Sequence, residues 1–329
     1  MNIHIRSTGR YLPDQVITNA DLETELGRAL HNITQKNGVE TRYRSSILHG
    51  ETSAQMCAWA AQDALTNGNM SPGDLDLIIF ASASPQQAIP DTAALVQGKL
   101  GLGQSGIRCF SVHTTCLSFL TALDIASSLI HSKSHCNILI VCAERSFTSL
   151  NPADPVTYTL FGDGAAAAII TPTPVHSSSQ ILRSHFSTFG DYAQLTTLPG
   201  CGTRYHPNHP DTRFEHNTFQ MKGRELLRFS LKNAPSILEN IWPGLSQSTH
   251  SFDRIIPHQP SKVGLRVLER YFPREKTIET LSHYGNCVSV SIPLSLDEAI
   301  RNHNLQRGEQ VLLFGTGAGL NIAGISLIY

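Results

Sequence analysis

The sequence predicts an α/β fold with buried sheets, built from two similar halves. Three observations carry this reading. Short apolar runs alternate with longer segments of helical spacing along the chain. The same order of elements recurs at a nearly constant offset. Hydrophobic residues make up 40% of the 329 and charged residues 16%, a composition that forms a core.

Buried strands are expected at "DLIIFAS" (76–82), "GIRCFSV" (106–112), "NILIVCAE" (137–144), "AAAAIITP" (165–172), "RIIPHQ" (254–259), "QVLLFGTG" (310–317) and "GISLIY" (324–329). Each is a short, nearly continuous apolar run, as a strand covered on both faces requires. Helices are expected at 52–66, 91–100, 117–132, 219–240, 261–271 and 293–303, where apolar residues show helical spacing.

The halves echo each other. "DLIIFAS" begins at Asp76 and "DRIIPHQ" at Asp253, an offset of 177. Asp124 in "TALDIASSLI" and Asp297 in "LSLDEAI" are 173 apart, as are Ile138 in "NILIV" and Val311 in "QVLLF". Short apolar runs also match by chance, but order and spacing together favour a duplication. The expected division is 1–173 and 174–329.

Composition excludes several functions. The formal net charge of -1 offers no basic surface for nucleic acid. No stretch approaches the roughly 18 apolar residues of a membrane span. The start, "MNIHIRSTGRYLPDQ", lacks a signal-peptide profile. A cytoplasmic protein that touches no membrane is expected. Its seven cysteines are irregularly spaced and form no C-x-x-C, so neither a disulfide framework nor a metal site is expected.

In a duplicated α/β fold, chemistry collects where loops of both halves meet at strand ends. The first half places Cys116 there, before the apolar helical segment 117–130. Free N–H groups and the dipole at a helix start favour an anion, so the thiol pKa is expected to fall and the thiolate to attack thioesters. Cysteine before a helix is equally an ordinary small core residue. The second half offers His258 in "IIPHQPS", suited to acid–base work or hydrogen-bond donation. It is one of 15 histidines and alone means little. Asn286 in "HYGNCVSV" reads equally as a turn or cap residue. His113 is close to Cys116 in sequence, but strand alternation puts 113 and 116 on opposite faces, and packing near a subunit interface is expected.

The three segments resemble one family together. "TTCLSFLTALDIA", "IIPHQPS" and "HYGNCVSVSIPLSLDEA" are similar to the nucleophile, histidine and asparagine segments of β-ketoacyl-acyl-carrier-protein synthase III, in the thiolase superfamily. "STGRYLPDQVITNADLE", "AIPDTAALVQGKLG", "FGDGAAAAII" and "FGTGAGLNIAG" extend the resemblance nearly end to end. It implies a thiolase-like five-layered α-β-α-β-α fold and a homodimer. It implies no cofactor: the substrates are acyl-coenzyme A or an acyl carrier protein thioester, and a malonyl thioester. Cys116 would take the acyl group. His258 and Asn286 would stabilise the enolate formed as carbon dioxide leaves. Backbone N–H groups of Cys116 and near Ala318 would hold the oxyanion, with Gly317 and Gly319 allowing close approach. Ile89, from the partner subunit, would line the far end of the pocket.

The chain departs from the family pattern in places. "GRALHNITQKNGVETRYR" lacks the tryptophan of the coenzyme A adenine clamp, and Lys36 stands about where an arginine is expected. Pro155 stands near the second clamp arginine. "HQPSK" has Ser261 in place of an asparagine and adds Lys262 at the entrance. Arg224 and Arg228 share a helix face and offer charge to an acidic carrier, though a solvated face is as ordinary. Thr316 replaces a bulky aromatic and is expected to widen the pocket. "SASPQQAIPD" has no glutamate base, and Asp91 is expected to cap the next helix, so decarboxylation is favoured. The alternative is an acyltransferase of the same fold, passing the acyl group to a hydroxyl, amine or carrier without decarboxylation.

Overall fold

A computed structural model describes residues 1–248 and 251–329. The first half runs β1 (Ile3–Tyr11), β2 (Gln15–Thr18), α1 (Asn19–Leu26), α2 (His31–Asn37), β3 (Thr41–Arg44), α3 (Ser53–Asn67), β4 (Leu77–Ala81), α4 (Thr92–Lys99), β5 (Arg108–Val112), α5 (Ser118–His131), β6 (Ile138–Glu144), α6 (Pro155–Tyr158) and β7 (Gly164–Pro172). The second runs β8 (Gln180–Thr188), β9 (Thr196–Thr197), β10 (Gln220–Met221), α7 (Gly223–Ile241), β11 (Arg254–Pro257), α8 (Lys262–Leu268), α9 (Leu281–Tyr284), α10 (Ser291–Arg301), β12 (Gln310–Gly317) and β13 (Asn321–Ile328).

Two sheets share one topology. The first has the order β1-β7-β6-β4-β5 and the second, read from the same end, β8-β13-β12-β11. Corresponding pairs have the same sense. β1–β7 and β8–β13 are antiparallel, as are β6–β7 and β12–β13, while β4–β6 and β11–β12 are parallel. The repeat in the sequence is thus a repeat of supersecondary structure, with β5 as an extra edge strand.

Strand alternation builds five layers. Leu77, Ile79 and Ala81 of β4, and Val311 and Leu313 of β12, face a central core with Phe119 and Leu123 of α5 and Ile292 and Leu296 of α10. Their neighbours Ile78 and Phe80 face outward under α3. Leu312 and Phe314 face outward under α7, against Ile237 and Ile241. The seven expected strands and six expected helices all form. β1 and β8 were not expected, because "IHIRSTGRY" and "QILRSHFST" mix charged and polar residues into their runs.

One close approach holds the first outer layer. A Cβ at Gly9 of β1 would lie 2.2 Å from the Ala64 nitrogen and 2.4 Å from the Ala60 oxygen of α3. Neither backbone atom can rotate away. Gly9→Ala should therefore lower stability by about 1–3 kcal/mol in urea unfolding. An unchanged midpoint would contradict this packing.

Candidate active site

Cys116 sits in a single 3-10 turn, Thr115–Leu117, just before α5. Thr115 has φ 52°, in the left-handed region that a β-branched residue rarely adopts. Its hydroxyl donates to the Thr114 oxygen (2.8 Å) and the Ala318 oxygen (3.2 Å), and the Ser118 hydroxyl holds the Thr115 oxygen at 2.7 Å. These bonds pin a sharp bend at Cys116.

β12 closes over this bend. A Cβ on Gly317 would lie 2.8 Å from the Thr115 hydroxyl, and one on Gly315 would lie 2.8 Å from Leu117 Cδ2 and 3.0 Å from the His258 Cβ. Glycine at both places brings the Cys116 turn, β12 and His258 together. Gly319, at φ 89°, turns the chain beyond β12. The backbone N–H groups of Ala318 and Cys116 point at the sulfur.

The charge state differs from the expectation at a helix start. Cys116 is half-buried. Desolvation, with the Glu144 carboxylate adding to it, pushes the thiol up to about 12, against the opposing N–H groups. The resting group is a thiol. The cost of removing the sulfur from water outweighs the pull of the helix start.

His258 follows β11, with its N–H donated to the Phe314 oxygen at 2.7 Å. The side chain is buried, and its Nδ1 has no hydrogen-bond partner among the described residues. Burial pulls its pKa down to about 4, so the imidazole is neutral. The next residue, Gln259, is fully buried. It donates to the Pro257 and Ile278 oxygens and accepts the Thr280 N–H, which locks the "PHQP" turn.

Asn286 is buried and fixed from both ends. Its Oδ1 accepts the Val288 N–H at 2.9 Å, and its Nδ2 donates to the Pro260 oxygen at 3.2 Å. A second amide hydrogen is left over. The Pro260 bond sets Asn286 beside the His258 turn.

The sequence reading missed Glu144, a buried carboxylate at the end of β6 that acts electrostatically on Cys116. Its only signal was an acid closing the apolar run "NILIVCAE". One expectation falls elsewhere. Strand alternation turns Thr316 away from the face that Gly315 and Gly317 present to the Cys116 turn, so it does not widen a pocket there. His113 is exposed and bonds the Ala83 oxygen at 2.8 Å through Nε2, which ties down the loop after β4. Asp91 caps α4 as expected, accepting the Ala93 N–H.

Comparison with known proteins decides the family. The 3-oxoacyl-[acyl-carrier-protein] synthase III model matches residues 110–190, and that family's C-terminal model matches 246–329. The β-ketoacyl-[acyl-carrier-protein] synthase III of Aquifex aeolicus is 33% identical over the full length of both chains. That of Natranaerobius thermophilus is 32% identical over 97% of each. The crystal structure of the Aquifex enzyme superposes with a TM-score of 0.86, covering 99% of this chain and 100% of that one at 32% identity.

The chain belongs to the β-ketoacyl-acyl-carrier-protein synthase III family. It is a condensing enzyme with the five-layered thiolase-like fold. The segments expected to form the entrance of such a synthase III lie together. Lys36 is exposed on α2, and Gly38, just beyond it, lies against the stem of Lys262, so that a Cβ there would be 2.6 Å from the Lys262 Cβ. Asn37 donates to the Val156 oxygen (2.9 Å) and the Thr159 hydroxyl (2.8 Å), joining α2 to the Pro155 segment. Lys222, just before α7, and Arg224, Arg228 and Lys232 along it are all exposed. Ile89 is 86% exposed, in the loop after β4. Among the described residues, no helix is long and apolar enough to cross a membrane.

Buried neutral His258 links stability to pH. Its folded pKa of about 4 lies below the ordinary 6.5, so the unfolded chain binds the extra proton first as pH falls. Stability from this group is complete above pH 6.5 and is lost between pH 6.5 and 4, by up to about 3 kcal/mol. The loss in urea-unfolding free energy from pH 7 to pH 4 should be smaller in His258→Gln than in the native protein. Equal losses would count against a buried neutral imidazole.

Proposed function

We propose that Cys116, His258 and Asn286 carry out a decarboxylative condensation. The supporting observation is the convergence of the Cys116 and Ala318 N–H groups on the sulfur, in a site that also holds a neutral histidine and a fixed asparagine. Cys116 takes an acyl group from a thioester. The sulfur–carbon bond forms, the donor's carbon–sulfur bond breaks, and the thiol proton passes by way of His258 to the departing donor thiolate.

A malonyl thioester then binds with its carbonyl oxygen toward His258 and the free amide hydrogen of Asn286. Carbon dioxide leaves, and these neutral donors stabilise the enolate as its charge develops. The enolate carbon attacks the acyl group. The tetrahedral oxyanion rests on the N–H groups of Cys116 and Ala318. The carbon–sulfur bond breaks, Cys116 takes up one proton, and a β-ketoacyl thioester departs. Asn286 and the absence of a glutamate in "SASPQQAIPD" favour this over transfer without decarboxylation.

The acyl donor is a carrier-protein or coenzyme A thioester, met at the entrance by Lys36, Lys262 and Arg224. No protein cofactor takes part. The functional unit is a homodimer of chains divided at 173/174. The edge strand β5 and exposed Ile89 face the second copy, where Ile89 lines the partner's pocket.

Acyl thioesters should leave a mass adduct on Cys116, and malonyl-carrier protein should extend it with release of carbon dioxide. Cys116→Ala should abolish the adduct, whereas His113→Ala should keep it. His258→Ala and Asn286→Ala should keep loading and lose extension by about 10²–10³-fold. Transfer of the acyl group without carbon dioxide would support the acyltransferase alternative, and no adduct with any donor would reject both.

A further inference from the structure

Glu144 is a buried carboxylate beside the nucleophile with no part in the reaction above. Its Oε1 accepts the Ala83 N–H at 2.6 Å and the Ser289 hydroxyl, and its Oε2 accepts the Ser84 hydroxyl at 3.1 Å. Each donor belongs to a segment that frames the site. Ala83 and Ser84 start the loop that leads to Ile89. The same loop is held by His113 on the Ala83 oxygen and by Ser118, from the first turn of α5, on the Ser82 oxygen. Ser289 lies in the turn Val288–Val290, whose first N–H fixes the Asn286 Oδ1. Glu144 therefore ties the Asn286 turn to the loop beside Cys116.

Among the described residues no cation pairs with this carboxylate: the groups that hold it are hydroxyls and backbone N–H groups. The buried Asp297, by contrast, meets Arg10 and Arg301. The titratable groups facing Glu144 are four thiols: Cys57 on α3, Cys142 on its own strand, Cys116, and Cys287 next to Asn286. Burial pushes the Glu144 carboxyl up to about 7 while its donors oppose this, so its charge is present above neutral pH and fades below it.

We propose that Glu144 is a positioning residue for the condensation, clamping the Asn286 turn to the loop beside Cys116 and holding the free nucleophile as a thiol until a thioester fills the site. An uncompensated negative charge in a desolvated site disfavours a second one nearby. A protonated sulfur also resists alkylation and oxidation between turnovers. The inference rests on the reading of Cys116 as the nucleophile.

The test is the pH dependence of Cys116 alkylation by iodoacetamide, read by mass. This needs no substrate, so its failure is separable from a failure of acyl loading, which would sink the reading itself. Glu144→Gln removes the charge and keeps the size. Its alkylation midpoint should fall by about one pH unit, roughly tenfold faster reaction at a given pH below the midpoint. Glu144→Asp should keep the native midpoint and slow malonyl-dependent extension. A folded Glu144→Gln protein with an unmoved midpoint would overturn the proposal, because a purely structural clamp would not set the thiol. Should Glu144→Gln fail to fold, Ser289→Ala serves instead. Losing one donor leaves the carboxyl protonated to higher pH, so alkylation at pH 8 should rise. A rate at or below the native one would overturn the proposal.

Discussion

The candidate site depends on the close approach of β12 to the turn that carries Cys116. Side chains at 315 or 317 would strike Leu117, His258 or Thr115, so the approach is possible only with glycine. It brings the Ala318 N–H to the sulfur and the His258 turn beside the Cys116 turn. Neither half has a site alone. Glycine in a strand is flexible and packs poorly, but eight consecutive pairs with β13 hold β12 in register. Rigidity comes from the sheet, and the room comes from the glycines.

Around that contact the site is polar and largely buried. Burying polar groups costs free energy unless they find partners, and most here do. Gln259 satisfies three backbone groups of its own turn and its neighbours. Asn286 is anchored at both ends of its amide, and Glu144 by three donors. Among the described residues His258 Nδ1 has no partner, so unused hydrogen-bonding capacity sits on a proposed donor. This is the pattern of a preorganised site, in which donors do not have to reorient as charge develops.

The entrance departs most from the family pattern. At the positions where the resemblance implies an adenine clamp, this sequence has no tryptophan and carries Lys36 and Pro155. Asn37 sews α2 to the Pro155 segment, and Lys262 lies over Gly38. Lysine binds phosphate as a point charge and imposes little geometry.

Much of the fold was legible because buried strands and amphipathic helices write their own periodicity. The seven apolar runs became strands and the duplication became two matching sheets. β1 and β8 were hidden because their polar residues broke the apolar runs. Cys116, His258 and Asn286 became visible as a set through their order and resemblance. Glu144 did not, since nothing local marks an acid whose donors come from residues 83, 84 and 289. The sequence by itself determined which elements form and which residue types are available for chemistry. Only the tertiary structure decided which of them meet, that Thr316 turns away, and that Cys116 rests as a thiol. Desolvation and close approach depend on neighbours distant in the chain, and a local reading counts only the helix that follows.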